Sequence, residues 1–170
     1  MSVTADLTFN LDARLTAANV GAGKRSINAD IKRINQFSPG NAALGKADLM
    51  YTATRTLAAS ATEDLDLAGV LTNGFGATFT ATEILAIVVE AATGNTNNVV
   101  VGGASLNAFV GPFGASTHTL AVKPGQYIAL IDNQGWTVTA GTGDLLRVAN
   151  SSSGTGVTYT IAVIARSISN

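Results

Sequence analysis

The stretch GDLLRVANSSSGTGVTYTIAVIAR, from Gly143 to Arg166, holds two apolar runs on either side of six residues that are only Ser, Gly or Thr. In the second run, Val157, Tyr159 and Ile161 alternate with polar residues, so they share one face of an extended strand. No reactive side chain appears in the linker. We therefore predict two adjacent antiparallel strands joined by a flexible connection, 151–156.

The chain from Asp48 onward repeats this pattern of short strands and turns. EDLDLAGVL alternates Asp and Leu with a period of two, which predicts a half-buried strand. EILAIVVEA is bounded by Glu83 and Glu90 and is typical of a central strand buried on both faces. The NTNN turn followed by VVVGG indicates a hairpin, and NQGW indicates a turn.

The dipeptide Pro124-Gly125 suits the middle of a type II turn between two further strands. Six or seven short strands at spacings of roughly 8 to 12 residues are typical of sandwiches and jelly rolls. We predict an all-β fold, an antiparallel β-sandwich that is jelly-roll-like, over residues 47–170.

Residues 1–46 differ in character and are interpreted as an irregular N-terminal extension or arm. LTFNLDARL alternates Leu7, Phe9 and Leu11 and is compatible with a strand. SINADIKRI is compatible with a short helix capped by Ser26, with its three isoleucines on one side. Two uses stay open, an arm that ties one subunit to another and an extra strand and loop of the same domain.

Composition limits the class of protein. Hydrophobic residues make up 46% of the chain, but charged residues make up only 12%, against a usual share of about 25%. The surface must therefore be rich in Thr, Ser and Asn, as on virion and extracellular proteins and on subunits of assemblies. Cysteine is absent, which excludes disulfides and thiolate metal sites. The N-terminus does not read as a signal peptide and no apolar run approaches the ~20 residues of a membrane span, so we expect synthesis in the cytoplasm and no membrane partner.

Charge is distributed unevenly along the chain. Residues 1–55 hold seven basic and four acidic side chains, a balance of +3, and the remainder holds three and seven, a balance of −4. A positive front segment on an acidic body is compatible with docking onto an acidic surface or a second copy. The residues predicted to dock are Lys24, Arg25, Lys32 and Arg33. The alternative is that these are ordinary solvated charges, and nothing indicates specific nucleic-acid binding.

No catalytic constellation is present. GAGKRS lacks the first glycine of a phosphate-binding loop and the hydroxyl residue after Lys24. His118 is the only histidine, and no nucleophile-elbow pattern surrounds a serine. Glu63, Asp64 and Asp66 would bind calcium only with further oxygen ligands, and a solvent-facing strand position explains the two aspartates as well. We predict no catalytic residue, no cofactor and no metal.

Aromatic residues supply the remaining candidate site. Phe109 and Phe113 lie on a Gly-rich segment that is predicted to be an exposed loop, and Trp136 could act together with Tyr127. These rings are compatible with stacking on a sugar, but exposed aromatic rings also mark subunit interfaces. We favour a core or interface role for Phe109, Phe113 and Trp136.

RTLAASATEDLDLAGVL, GNTNNVVVGGASLNAFVGPFG, HTLAVKPGQY and VTAGTGDLLRVANSSSGTGVTYTIAVIA resemble a family of small structural proteins of tailed bacteriophages and prophages. The resemblance covers residues 47–165 and consists of strand and turn patterns, and residues 1–46 do not share it. It implies a non-enzymatic virion protein that decorates or cements the capsid. Its partners would be the major capsid protein, other virion proteins and its own copies in a homo-oligomer such as a trimer. The alternative is a tail or fibre-tip module that binds a host glycan.

Overall fold

The computed structural model describes residues 2–17 and 25–168. In these two ranges the regular secondary structure consists of β-strands. The strands are β1 (Ala5–Ala17), β2 (Arg25–Pro39), β3 (Lys46–Ala47), β4 (Leu49–Leu57), β5 (Thr62–Asp66), β6 (Glu83–Ala91), β7 (Val99–Gly102), β8 (Thr119–Val122), β9 (Tyr127–Thr137), β10 (Leu145–Asn150) and β11 (Val157–Arg166). The predicted all-β class is confirmed.

Strands β4 to β11 form two four-stranded antiparallel sheets that pack against each other. Their strand orders are β5-β10-β7-β8 and β4-β11-β6-β9. The pairing is nested along the chain, since β4 pairs with β11, β5 with β10, β6 with β9 and β7 with β8. The predicted antiparallel β-sandwich is therefore confirmed.

Alternating side chains of the two sheets fill the space between them. Tyr159, Ile161 and Leu146 are fully buried there. Successive side chains of a strand point to opposite faces, so the residues next to them in the chain point away from this core. Burying a side chain such as Leu or Ile stabilises the fold by about 1.5–3 kcal/mol. The predicted alternation in β5 is confirmed, with Leu65 buried and Asp64 exposed. The predicted central position of β6 is also confirmed, since β6 lies between β11 and β9.

Two predicted strand pairings are wrong. β10 and β11 belong to different sheets, so 151–156 carries the chain across the sandwich instead of closing a hairpin. β6 and β7 likewise lie in different sheets, and the segment that contains NTNN carries the chain from one sheet to the other. The physical reason is that a strand with one buried face has the same alternation whether its successor pairs beside it or packs opposite it.

Two glycine-containing segments have different outcomes. Gly125 has a φ of +71° and the amide of Gln126 donates to the carbonyl of Lys123, so the turn predicted between β8 and β9 is confirmed. The turn predicted at NQGW is wrong, because 133–136 continues β9 through a register shift against β6. Gly135, with a φ of +97°, allows this bulge.

β1 and β2 form a long antiparallel two-stranded ribbon, here called the arm, in which thirteen residues of β1 are paired one to one with β2. β3 extends it by a short parallel pairing with the end of β2. The predicted irregular conformation of the extension is therefore wrong, and the short helix with which SINADIKRI was compatible does not form, because the segment lies in β2. Ile27 and Ile31 share a face in a strand as well as in a helix, because a spacing of four fits both periods, and pairing with β1 selects the strand.

Candidate interaction surface

The arm has one apolar face and one polar face. Residues directly opposite each other in an antiparallel pair point to the same side, and the register places Leu15 opposite Ile27 and Leu11 opposite Ile31. The apolar face of the arm is defined by Phe9, Leu11, Ala13, Leu15, Ile27, Ala29, Ile31 and Arg33, and it continues at the base through Leu7 and Phe37. Most of the alternate residues on this side of both strands thus form one apolar stripe, which Arg33 and Asn35 interrupt.

The opposite face carries mostly polar and charged residues. Asp12 lies opposite Asp30, with Arg14 and Lys32 on the diagonals. Opposite charges on diagonal neighbours offset part of the repulsion between the two directly opposed carboxylates. This face therefore suits contact with water.

The apolar face of the arm is open to solvent in the single chain. Phe9 is 55% exposed, Leu15 68% and Ile27 70%. Soluble monomers rarely expose a contiguous apolar patch of this kind, and a two-stranded hairpin on its own is marginally stable in water. This face is therefore the strongest candidate for a binding surface in the part of the chain that the structure describes.

The base of the same face is already buried against the sandwich. Phe37 is 1% exposed and packs in a small cluster with Ala86 and Ile164, while Leu7 and Ile131 pack against that cluster. Ala86, Ile164 and Ile131 lie in one cross-strand row on the outer face of the β4-β11-β6-β9 sheet. The arm thus begins as a layer on this sheet and then extends beyond it.

A polar clamp fixes the base of the arm. The buried guanidinium of Arg166 bonds the carboxylate of Glu83 and the carbonyl of Gln134, and it donates to the carbonyl of Ala43 over 2.9 Å. The neighbouring hydroxyl of Ser167 donates to Asp48 over 2.6 Å. Ala43 belongs to the segment that leads out of β2, so the clamp ties that segment to the ends of β6, β9 and β11.

Beyond the base of the arm, the outer face of the β4-β11-β6-β9 sheet carries a row of threonines, and we call it the Thr face. It is defined by Thr52, Thr54, Thr56, Val88, Glu90, Tyr127, Ala129, Thr158, Thr160 and Ala162. Hydroxyls of Thr54 and Thr160 are 2.9 Å apart and those of Thr56 and Thr158 are 3.0 Å apart. Glu90 is the exposed charged side chain among these residues. The surface is nearly uncharged because its residues are mainly threonine and alanine. Its hydroxyl groups are partly satisfied because threonines on neighbouring strands bond to each other.

The structure does not bring the predicted basic residues together. Lys24 lies outside the described residues, and of Arg25 only the backbone at the start of β2 is described. Lys32 and Arg33 point to opposite faces of the arm, because consecutive strand residues alternate. Arg33 lies opposite Phe9 on the apolar face, and Lys32 lies opposite Asn10 on the polar face.

The aromatic residues also separate. Phe109 is 3% exposed and belongs to the core, so its predicted exposure on a loop is wrong. Phe113 and Trp136 are partly buried against the same core. Tyr127 is 70% exposed at the opposite end of β9 from Trp136, and their partners Glu90 and Ile84 are six residues apart on β6, about 20 Å. The four rings therefore form no common platform.

Phe113 and His118 line a surface cleft of about 480 Å³ with Pro112, Thr117 and Leu120. The Nδ1 atom of His118 lies 2.7 Å from the carbonyl of Phe113, which closes the loop on itself. His118 is thus a polar residue directly before β8.

The carboxylates considered for calcium have protein partners. Glu63 accepts hydrogen bonds from Arg55 and Tyr159, both over 2.7 Å. Asp64 accepts two hydrogen bonds of 2.8 Å from Arg147, and Asp66 accepts one from the backbone of Ala68. In residues 2–17 and 25–168, no group of three acidic or histidine side chains is placed to hold a metal ion.

The cluster around Glu63 lies at one end of the core. Burial and the hydrogen bond to Glu63 raise the pKa of Tyr159 above its ordinary value of 10.0. The hydrogen bond to Glu63 also raises the pKa of Arg55. The cluster therefore keeps Tyr159 neutral and Arg55 charged. Its groups satisfy one another inside the fold.

Alternation in LTFNLDARL indicated the first strand of the arm, but the contribution of Ile27 and Ile31 to the same face was missed because that segment resembled a helix. The Thr face was missed as well. Its signal is the alternation of Thr with apolar residues in LMYTATRTL.

None of the described residues forms a helix that is long and apolar enough to cross a membrane. No family model matches the chain, and no curated protein and no solved structure shows significant similarity to it.

Proposed function

We propose that this protein is a non-enzymatic structural subunit of a bacteriophage virion that decorates or cements the capsid. The observation that carries the proposal is the arm, an extended two-stranded ribbon with a solvent-exposed apolar face on a sandwich of low charge. The resemblance of residues 47–165 to phage structural proteins supplies the biological setting. We also propose that the sandwich is of the jelly-roll type, which the nested strand pairing supports.

The protein would act by binding the capsid in many copies, and no chemical reaction would take place. Each copy buries a modest apolar area, and many copies on one shell bind at the same time, so the avidity exceeds the affinity of one contact. Major capsid protein and further copies of this chain are the partners, and no cofactor takes part. The protein would be made in the host cytoplasm and act in the virion.

The experiment is co-sedimentation of the purified chain with phage capsids. We expect the chain to sediment with the particles at on the order of tens to hundreds of copies. A few copies per particle, or none, would reject the capsid role. A variant with both L15D and I27D tests the arm, with the T16D and S26D pair on the polar face as its control.

The alternative, a tail or fibre-tip module that binds a host glycan, keeps one structural candidate, the cleft at Phe113 and His118. The burial of Phe109 removes a ring that was considered for stacking. A glycan array decides this alternative, since a ligand whose binding is lost in F113A would favour it over the capsid role.

A further inference from the structure

We propose that the apolar face of the arm docks on the Thr face of a second copy of this chain, with each subunit giving one arm and receiving one. The inference concerns the purified protein and does not depend on the virion role. It rests on four features of the described residues. These are the contact that the arm already makes with the sheet, the sizes of the side chains on the two surfaces, their charges, and the area that docking would bury.

Continuity comes from the contact at the base of the arm. Leu7 and Phe37 of the apolar face pack with Ala86 and Ile164 of the sheet's outer face within the chain. The next row along the same sheet face, which includes Ala162 and Val88, has no arm above it and is partly exposed. The chain therefore already contains one example of this face lying on this sheet.

The two surfaces are complementary in side-chain size. The arm presents bulky residues such as Phe9, Leu15 and Ile27, and all three project into solvent. The middle of the Thr face presents small residues such as Thr160 and Ala162, and its one large exposed ring, Tyr127, lies on the edge strand β9. Large side chains opposite small ones allow two layers to interdigitate without voids. Two arms meeting face to face would instead oppose large side chains to large ones.

The charges are also complementary. Arg33 is the charged residue on the described part of the apolar face, where it lies opposite Phe9. Glu90 is the exposed charged residue of the Thr face, where it lies between Thr160 and Tyr127. Among the described side chains, one positive group on the arm and one negative group on the Thr face favour one orientation of docking and disfavour others.

The area is sufficient only if arms are exchanged. Ten residue pairs beyond the base, from Thr8 to Ala17, extend about 30 Å at ~3.4 Å per residue. A two-stranded ribbon of that length covers about 350 Å² of its receptor, so one docked arm buries roughly 700 Å² in total. Two such contacts reach about 1,400 Å², within the range of stable interfaces at ~1,200–2,000 Å². Closed exchange in a dimer or trimer gives every subunit both contacts.

The first experiment measures the mass of the full chain by sedimentation equilibrium. We expect a dimer or trimer for the wild-type chain and for the T16D and S26D control, and a monomer for the L15D and I27D variant. Leu15 and Ile27 are exposed in the single chain, so both variants should keep the β-type circular dichroism spectrum. A wild-type chain that is monomeric up to its solubility limit would overturn the proposal.

The second experiment locates the contact by disulfide formation, since the chain has no cysteine. L11C protein is mixed with T160C protein and oxidised, and N10C, on the polar face of the arm, replaces L11C in the control. We expect a cross-linked heterodimer with L11C at least ten times more abundant than with N10C. An oligomer that cross-links only L11C to L11C would mean arm-to-arm packing and would overturn the assignment of the Thr face.

The two proposals fail separately. A chain that exchanges arms in solution but does not sediment with capsids rejects the virion role alone. A chain that binds capsids as a monomer rejects arm exchange alone.

Discussion

The guanidinium of Arg166 and the carboxylate of Glu83 form an ion pair at the base of the arm, and the Arg166 side chain is completely buried. The same guanidinium donates to the carbonyl of Ala43. A buried charge that loses its partner is strongly destabilising, because the remaining ion keeps its desolvation cost. The stability of the fold and the anchoring of the arm are thus coupled through one side chain.

We expect R166M to lower the free energy of unfolding by about 3–5 kcal/mol, since it leaves the Glu83 carboxylate buried without this cation. Urea denaturation followed by circular dichroism measures the change. The double variant R166M with E83L removes both charges and should recover part of the loss. R14M, at an exposed position of the arm, is the control, and an equal effect of R14M and R166M would contradict the prediction.

Alkaline pH should destabilise the protein through Tyr159. The pKa of Tyr159 is raised in the fold, so the folded chain retains this proton at a pH where the unfolded chain has lost it. The contribution is fully present below the ordinary pKa of 10.0 and is lost as the pH rises toward the folded value. Urea unfolding at about pH 8 and about pH 11 tests this. In Y159F the decrease between the two values should be smaller, and an unchanged decrease would show that another group causes it.

Gly102 should tolerate no side chain. Its φ is +98°, and an added Cβ would lie 2.6 Å from the carbonyl oxygen of His118. Backbone strain of this kind costs about 1–3 kcal/mol, and the close contact adds to that cost. G102A should therefore lower the thermal midpoint by several degrees. G94A is the matched control, because Gly94 has no atom within 4 Å of an added Cβ, and it should change stability by less than about 0.5 kcal/mol.

Calcium should leave the stability unchanged, because Glu63, Asp64 and Asp66 bond to protein groups. Thermal unfolding with excess calcium and with a chelator should give the same midpoint. D64A should cost about 1 kcal/mol or less, since Asp64 and Arg147 form a partly exposed ion pair at the surface. A midpoint that rises with calcium in the wild type, and not in D64A, would restore the cation site.

The sequence by itself determined the class of the fold and the inward faces of its strands. Alternation in VTYTIAVIA and EDLDLAGVL fixes which side chains are buried, because the period of a strand is two. It could not decide which strands pair, since β10 and β11 have the same pattern whether they are neighbours or lie in opposite sheets. That choice depends on how both apolar faces close over one core.

Only the tertiary structure revealed the candidate interaction surface. Ile27 and Ile31 fit a helix as well as a strand, and only pairing with Leu15 and Leu11 places all four on one face. The same pairing separates Lys32 from Arg33, which a linear reading joins into one basic patch. Periodicity along the chain records which residues are apolar, whereas the register between two distant strands determines which of them form a continuous surface.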